Sequence, residues 1–147
     1  MIALLQRVTE GRVEINGAVV GQIGAGLVVL LAVERMDTGT QADRMVDRLL
    51  GYRVFEDTSG RMNLSLVDTG GSLLLIPQFT LAADCGKGNR PSFDSAENPS
   101  RARELYEKCI TGIRQEGIPV ATGVFAAMMQ VHLVNDGPVT FLVDSRR

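Results

Sequence analysis

Leu27-Val28-Val29-Leu30-Leu31-Ala32-Val33 is an unbroken apolar run of seven residues that opens out of the corner Gly24-Ala25-Gly26. A run this short suits a strand better than a helix, and its lack of any polar position predicts a strand covered on both faces. Something must therefore pack on each side of it. Immediately upstream, Ala18 to Ile23 is a second strand-like segment. Asn16-Gly17 before it is a two-residue hairpin signal, because both positions favour the left-handed backbone that such a turn needs. Val13 and Ile15 alternate with polar neighbours, and Ile2 to Val8 reads as the first strand. The opening third is an antiparallel meander.

Downstream, Asp37 or Thr38 offers a cap for a helix whose Ala42, Met45, Val46, Leu49 and Leu50 recur at helical spacing before Gly51. Tyr52 to Phe55 reads as a short strand and Asp57-Thr58-Ser59-Gly60 as a polar turn. Gly70-Gly71 leads into Ser72 to Ile76, another apolar strand. Ala82 to Pro99 is irregular. Ser100 is the expected cap of a second helix, with Ala102, Leu105, Cys109 and Ile113 on one stripe. Thr122 to Ala127 and Met128 to Val134 are strand-rich, and Val139 to Val143 is a last strand. Strands in runs with two main helices predict one α+β domain over residues 1–147, with a curved, largely antiparallel sheet or barrel-like core.

Composition narrows the function. With 45% hydrophobic residues the chain can fill a core, and a net charge of −2 gives no global field for nucleic acid. Local phosphate contacts remain open. No apolar run approaches the length of a membrane span, and no signal peptide is evident. Cys85 and Cys109, without a CxxC partner, point to a reducing cytoplasm and away from a zinc site.

Ordinary catalytic side chains are scarce. His132 is the only histidine, and within Gln130-Val131-His132-Leu133-Val134 it reads as the face of a strand opposite Met129, Val131 and Leu133. Cys85 lies in the irregular stretch with nothing local to activate a thiolate. Cys109 falls on a helix stripe. The carboxylates describe helix faces and caps, and neither Gly24/Gly26 nor Gly86/Gly88 ends in the Gly-Lys-Ser/Thr of a phosphate loop.

Two short segments stand out instead. Pro77-Gln78-Phe79-Thr80-Leu81 closes an apolar strand, where backbone N–H groups are released from ladder pairing and can face a developing oxyanion. Phe79 can wall a pocket or stack on a base, or be an ordinary core residue at a strand end. Asn135-Asp136-Gly137-Pro138-Val139-Thr140 carries a Gly-Pro corner between late strands, which is also an ordinary tight turn.

At these residues the chain resembles the bacterial D-aminoacyl-tRNA deacylases, also called D-tyrosyl-tRNA deacylases. The likeness runs from Met1-Ile2-Ala3-Leu4-Leu5-Gln6-Arg7-Val8 through Gly21 to Leu27, Leu50 to Phe55, Met62-Asn63-Leu64, Gln78 to Asp84 and Arg90-Pro91-Ser92-Phe93. It ends with Met129-Gln130-Val131 and Asn135 to Phe141. The resemblance implies hydrolysis of the ester of D-aminoacyl-tRNA, and of glycine mischarged on tRNA(Ala), with L-aminoacyl esters rejected. It implies a homodimer with active sites at the interface, binding the 3′ CCA end and using neither metal nor organic cofactor. Gly137-Pro138 would be cis and reach into the partner's pocket, its carbonyls excluding an L side chain. The Phe79 N–H would polarise the ester carbonyl, Gln78 would support the pocket, Thr80 would line it, and the terminal 2′-hydroxyl would assist. Arg7, Lys87 and Arg90 are candidate RNA contacts.

The chain departs from the family pattern at Pro77, where the usual motif has serine. Proline removes a hydroxyl and a backbone donor. A related group that accepts L-alanine also has proline there, but with alanine in place of Phe79. A sibling enzyme clearing a small L-aminoacyl-tRNA is thus one alternative. A non-catalytic dimeric module that binds RNA ends is another, and a hydrolase built on Cys85 ranks last.

Overall fold

A computed structural model describes residues 1–147. Strand β1 runs Ile2–Ile15 and turns back through Asn16-Gly17 into β2, Ala18–Ile23, followed by β3, Gly26–Ala32. Asn16 at φ 50° and Gly17 at φ 79° adopt the left-handed pair that the hairpin signal predicts. Helix α1, Gly39–Gly51, leads to the two-stranded ribbon of β4, Phe55–Glu56, and β5, Met62–Leu64. The short α2, Leu66–Thr69, precedes β6, Ser72–Pro77, which ends in a single 3-10 turn over Phe79–Ala82. Helix α3, Pro99–Gln115, is followed by β7, Val120–Thr122, and the long β8, Gln130–Asp144.

Strand β1 organises the main sheet. One of its edges carries β3 over Ile2–Val8 and β2 over Gly11–Ile15, and its other edge carries β8 from Glu14 back to Ile2. Two strands on one edge require β1 to turn between Val8 and Gly11, and the β1–β8 register slips at that point. β6 adds to β3 in parallel and β7 to β6 in parallel, so the antiparallel meander is extended by a parallel wing. The sheet curls until β2 meets β7. A Cβ on Gly21 would lie only 2.4 Å from the Thr122 carbonyl oxygen, so only glycine permits this closure. The result is a mixed, nearly closed barrel.

Alternation along β3 and β6 divides the interior. Leu27, Val29, Leu31, Leu73 and Leu75 face α1 and α3, joining Met45, Leu49, Leu105 and Ile113 in the larger core. Val28, Leu74 and Ile76 face the other way, into a smaller core with Val8, Val13 and Ile23. Both faces of β3 are therefore covered, as its uniform hydrophobicity requires.

Of the two caps expected for α1, Thr38 is the one used, with Gln41 completing a capping box. Asp37 is taken by the Glu34 N–H at 2.7 Å and by the Met1 amino group. The cap of α3 is Asn98, whose side chain accepts the Arg101 N–H at 3.0 Å. Pro99 takes the first helical position, where its missing donor costs nothing, so Ser100 is already inside the helix. The strand expected over Tyr52–Phe55 is limited to Phe55–Glu56, and residues 123–129 form a loop rather than a strand. The strand expected from Met128 starts at Gln130 and continues unbroken past Val139.

Candidate active site

The first motif sits where β6 leaves the sheet. Pro77 is its last residue and pairs with Leu31, and the Gln78 N–H still donates to the Leu31 carbonyl at 2.8 Å. The chain then tightens into the 3-10 turn, closed by Leu81 N–H to the Gln78 carbonyl at 3.1 Å and Ala83 N–H to the Thr80 carbonyl at 3.1 Å. A turn of this kind leaves its first N–H groups without intrahelical acceptors. The amides of Phe79 and Thr80 accordingly have no acceptor in the chain. The Gln78 side-chain amide donates to the Thr80 hydroxyl at 2.6 Å, which fixes both. No histidine, lysine or carboxylate is bonded to Thr80, so nothing in the chain activates it as a nucleophile.

The stretch read as irregular, Ala82 to Pro99, is shorter, because Ala82 ends the 3-10 turn and Pro99 opens α3, and residues 83–97 between them are tied back as a hairpin. Asp84 and Ser92 exchange backbone hydrogen bonds at 2.8 and 2.9 Å, and the Ser95 hydroxyl donates to the Ala82 carbonyl. Phe93 lies against Phe79 with ring centroids 5.2 Å apart. Phe79 is 57% exposed and Phe93 41%, so the pair is a surface shelf and not the core phenylalanine that an ordinary strand end would bury. The hairpin tip carries Lys87 and Arg90, both exposed and in no ion pair. Cys85 is exposed on the same tip, while Cys109 is buried and its thiol is pushed up to about 12 by that burial.

The second motif is not a turn between strands. It is a bulge within β8. The register passes from Gln6 opposite Thr140 to Val8 opposite Asn135, so residues 136–138 loop outward before Val139 returns to the core. The Gly137–Pro138 bond in this loop is cis, and Asp136, Gly137 and Pro138 are exposed. Asn135 closes the neck by donating from Nδ2 to the Arg7 carbonyl at 2.8 Å and the Val139 carbonyl at 3.1 Å.

Arg7 lies directly behind the bulge and is 7% exposed. Its Nε donates to the Asp136 carbonyl at 3.1 Å and lies 3.0 Å from the Asp136 carboxylate. One terminal nitrogen donates to the Val54 carbonyl at 2.8 Å, and the other is 3.6 Å from Glu56. Its donors are committed within the chain rather than turned outward. This bracing role was hidden in the sequence, where only the charge of Arg7 was visible.

The structure thus gathers Pro77, Gln78, Phe79 and Thr80 at one place, with the hairpin that carries Lys87 and Arg90. Gly137 and Pro138 stand apart, and no hydrogen bond or ion pair within the chain joins the bulge to the first motif. His132 is away from both. It pairs with Arg12 across β1 and β8, with Nε2 3.4 Å from Glu14, whose carboxyl is held below its usual range chiefly by the Arg12 side chain. No group of three or more His, Cys, Asp and Glu side chains assembles into a metal site.

The family model and the curated relatives agree with one another. A family model described as D-Tyr-tRNA(Tyr) deacylase matches residues 4–144. A D-aminoacyl-tRNA deacylase of Methylococcus capsulatus is 57% identical over 143 residues, covering 97% of this chain and 94% of its own. That of Geobacter sulfurreducens is 52% identical over 146 residues, covering 99% and 96%. Among solved structures, the c-Myc DNA Unwinding Element Binding Protein superposes with a TM-score of 0.92 at 37% identity over 98% of both chains. A probable eukaryotic D-amino acid tRNA deacylase superposes with a TM-score of 0.85 at 20% identity, covering 97% of this chain and 98% of its own, a likeness of fold.

Proposed function

This chain belongs to the D-Tyr-tRNA(Tyr) deacylase family and is a D-aminoacyl-tRNA deacylase, an ester hydrolase, and from that premise we propose how its residues divide the work. The observation that carries the reading is the pair of unengaged amides at Phe79 and Thr80, in a site with no conventional nucleophile and base. The Phe79 N–H polarises the ester carbonyl and stabilises the oxyanion as water adds. The ribose oxygen then leaves with a proton, assisted by the neighbouring 2′-hydroxyl. An aminoacyl ester is labile enough for orientation and oxyanion stabilisation to suffice. Gln78 holds the Thr80 hydroxyl in the wall of the pocket, and the aromatic shelf takes the face of the terminal adenine. Lys87 and Arg90 meet nearby phosphates of the 3′ CCA end.

Chirality is read by a second copy of the chain. The β8 bulge projects Gly137 and Pro138 outward, and the outer edge of β8 carries no strand. Val131, Val134, Phe141 and Leu142 are exposed along that strand. An open edge with apolar side chains favours association, and twofold pairing would deliver each bulge to the other copy's first motif. The bulge carbonyls then leave room for hydrogen or a D side chain but not an L side chain, so glycine on tRNA(Ala) also passes. Catalysis needs no metal or organic cofactor on this reading. No helix is long and apolar enough to cross a membrane, and we place the reaction in the cytoplasm, where aminoacyl-tRNA is used.

The test is the initial rate of deacylation of one tRNA charged separately with D-tyrosine, L-tyrosine and glycine. The reading requires loss of D-tyrosine and glycine with L-tyrosine spared. Cleavage of the L ester would instead assign a sibling specificity, with Pro77 as its visible departure, and tRNA binding without turnover would leave only an RNA-end module.

A further inference from the structure

We propose that Arg103, stacked on Phe125, contacts the phosphate backbone of the substrate's acceptor stem, on a face of the site that neither short motif supplies. The inference rests on the aminoacyl-tRNA reading above and adds a place for the body of the RNA. It begins in the loop of residues 123–129. The Gly123 N–H donates to the Leu75 carbonyl at 3.1 Å. A Cβ on Gly123 would lie 2.8 Å from the Met129 sulfur and 3.3 Å from Cδ of Pro77, so the loop starts directly against the first motif. Two residues later, the Phe125 ring packs on Tyr106 with centroids 6.0 Å apart. The Tyr106 hydroxyl donates to that same Leu75 carbonyl at 2.8 Å. Phe125 is therefore tied to the strand end that carries the motif through its own loop and through α3.

The Arg103 guanidinium carbon lies 4.9 Å from the centre of this ring. Arg103 is exposed and enters no ion pair, whereas its neighbour Arg101 is neutralised by Glu104 at 2.7 Å. Stacking holds a guanidinium flat and leaves its edge N–H groups free, which is the form that meets a phosphate with two parallel hydrogen bonds. An arginine kept only to cover Phe125 would act through its stem and would be indifferent to RNA. Lys87 and Arg90 are also exposed and unpaired, on the hairpin anchored through Phe93 to Phe79. Two such points around one ester site suit a polyanion that extends beyond its terminal nucleotide.

The test uses full-length wild type, Arg103→Gln, Arg103→Lys and Phe125→Leu. Each is assayed on D-tyrosyl-tRNA and on the short ester D-tyrosyl-adenosine, and binding of uncharged tRNA is measured across a salt series. Arg103→Gln is expected to lower kcat/KM on the tRNA ester roughly three- to tenfold, mostly through KM, and to flatten the log–log salt dependence by about 0.7–0.9. Turnover of the short ester stays unchanged, Arg103→Lys keeps part of the salt slope, and Phe125→Leu loses part of it. Equal losses on both esters, or an unaltered salt slope with uncharged tRNA, overturn the proposal. Failure of wild type on both esters would sink the hydrolysis reading alone, because binding of uncharged tRNA still decides this one.

Discussion

The proposed mechanism uses Phe79 in two separable ways, through its ring and through its amide. The ring builds the shelf with Phe93, and the amide is one of two donors left free where β6 becomes a 3-10 turn. Phe79→Ala removes only the ring. Phe79→Pro removes the ring and the N–H together, at the first position of a helical turn, where proline is sterically tolerated. If the amide stabilises the oxyanion, Phe79→Pro loses about 10²–10³ in kcat beyond Phe79→Ala. Single-turnover deacylation of D-tyrosyl-tRNA measures the difference, and equal rates for the two variants would remove the amide from the mechanism.

At the scale of elements, the decisive feature is the outward bulge of β8 and the arginine behind it. Arg7 joins that bulge to Val54 and Glu56 beside the β4–β5 ribbon. Arg7→Met keeps most of the volume but orphans the Val54 carbonyl and frees the neck of the bulge. The expected cost is about 2–3 kcal/mol, or roughly 5–10 °C in Tm for a chain of this size, together with a loss of deacylation. A thermal melt within a degree or two of wild type would mean that Asn135 alone holds the bulge. The sequence made some elements legible and hid others for physical reasons. Asn16-Gly17, the stripe of α1 and the run Leu27 to Val33 carry their structure in local pattern, and each formed as expected. The bulge carries none. Gly137-Pro138 looks like a turn because its neighbours are strand-like, and only pairing of Gln6 and Val8 with Thr140 and Asn135 keeps β8 continuous across it. The hairpin over residues 83–97 was equally hidden, since a single bridge, Asp84 to Ser92, closes it and its other anchors run to Ala82, Val33 and Arg35. Phe79 and Thr80 were found in sequence because they close an apolar strand. Arg7, Tyr106 and Phe125 support the site through long-range contacts that no local spacing announces.

Taken as a whole, the molecule carries two exposed features that the proposed mechanism treats as halves of one site. The first motif opens beside an aromatic shelf, and the bulge projects from a strand whose outer edge is open and whose exposed side chains include Val131, Val134, Phe141 and Leu142. On the account given above, each half is completed by a second copy. The most direct measurement of that claim is subunit complementation. Phe79→Pro damages the first motif, and Gly137→Val places a side chain on the bulge, where even a Cβ would approach the Asn135 side-chain oxygen to 2.9 Å. Each variant alone should be inactive on D-tyrosyl-tRNA. Mixed and refolded in equal amounts, they should recover about one quarter of wild-type activity, because half of a random twofold population is hybrid and each hybrid has one undamaged site. A mixture no more active than the sum of its separate components would show that each copy builds its site alone, and would contradict the account.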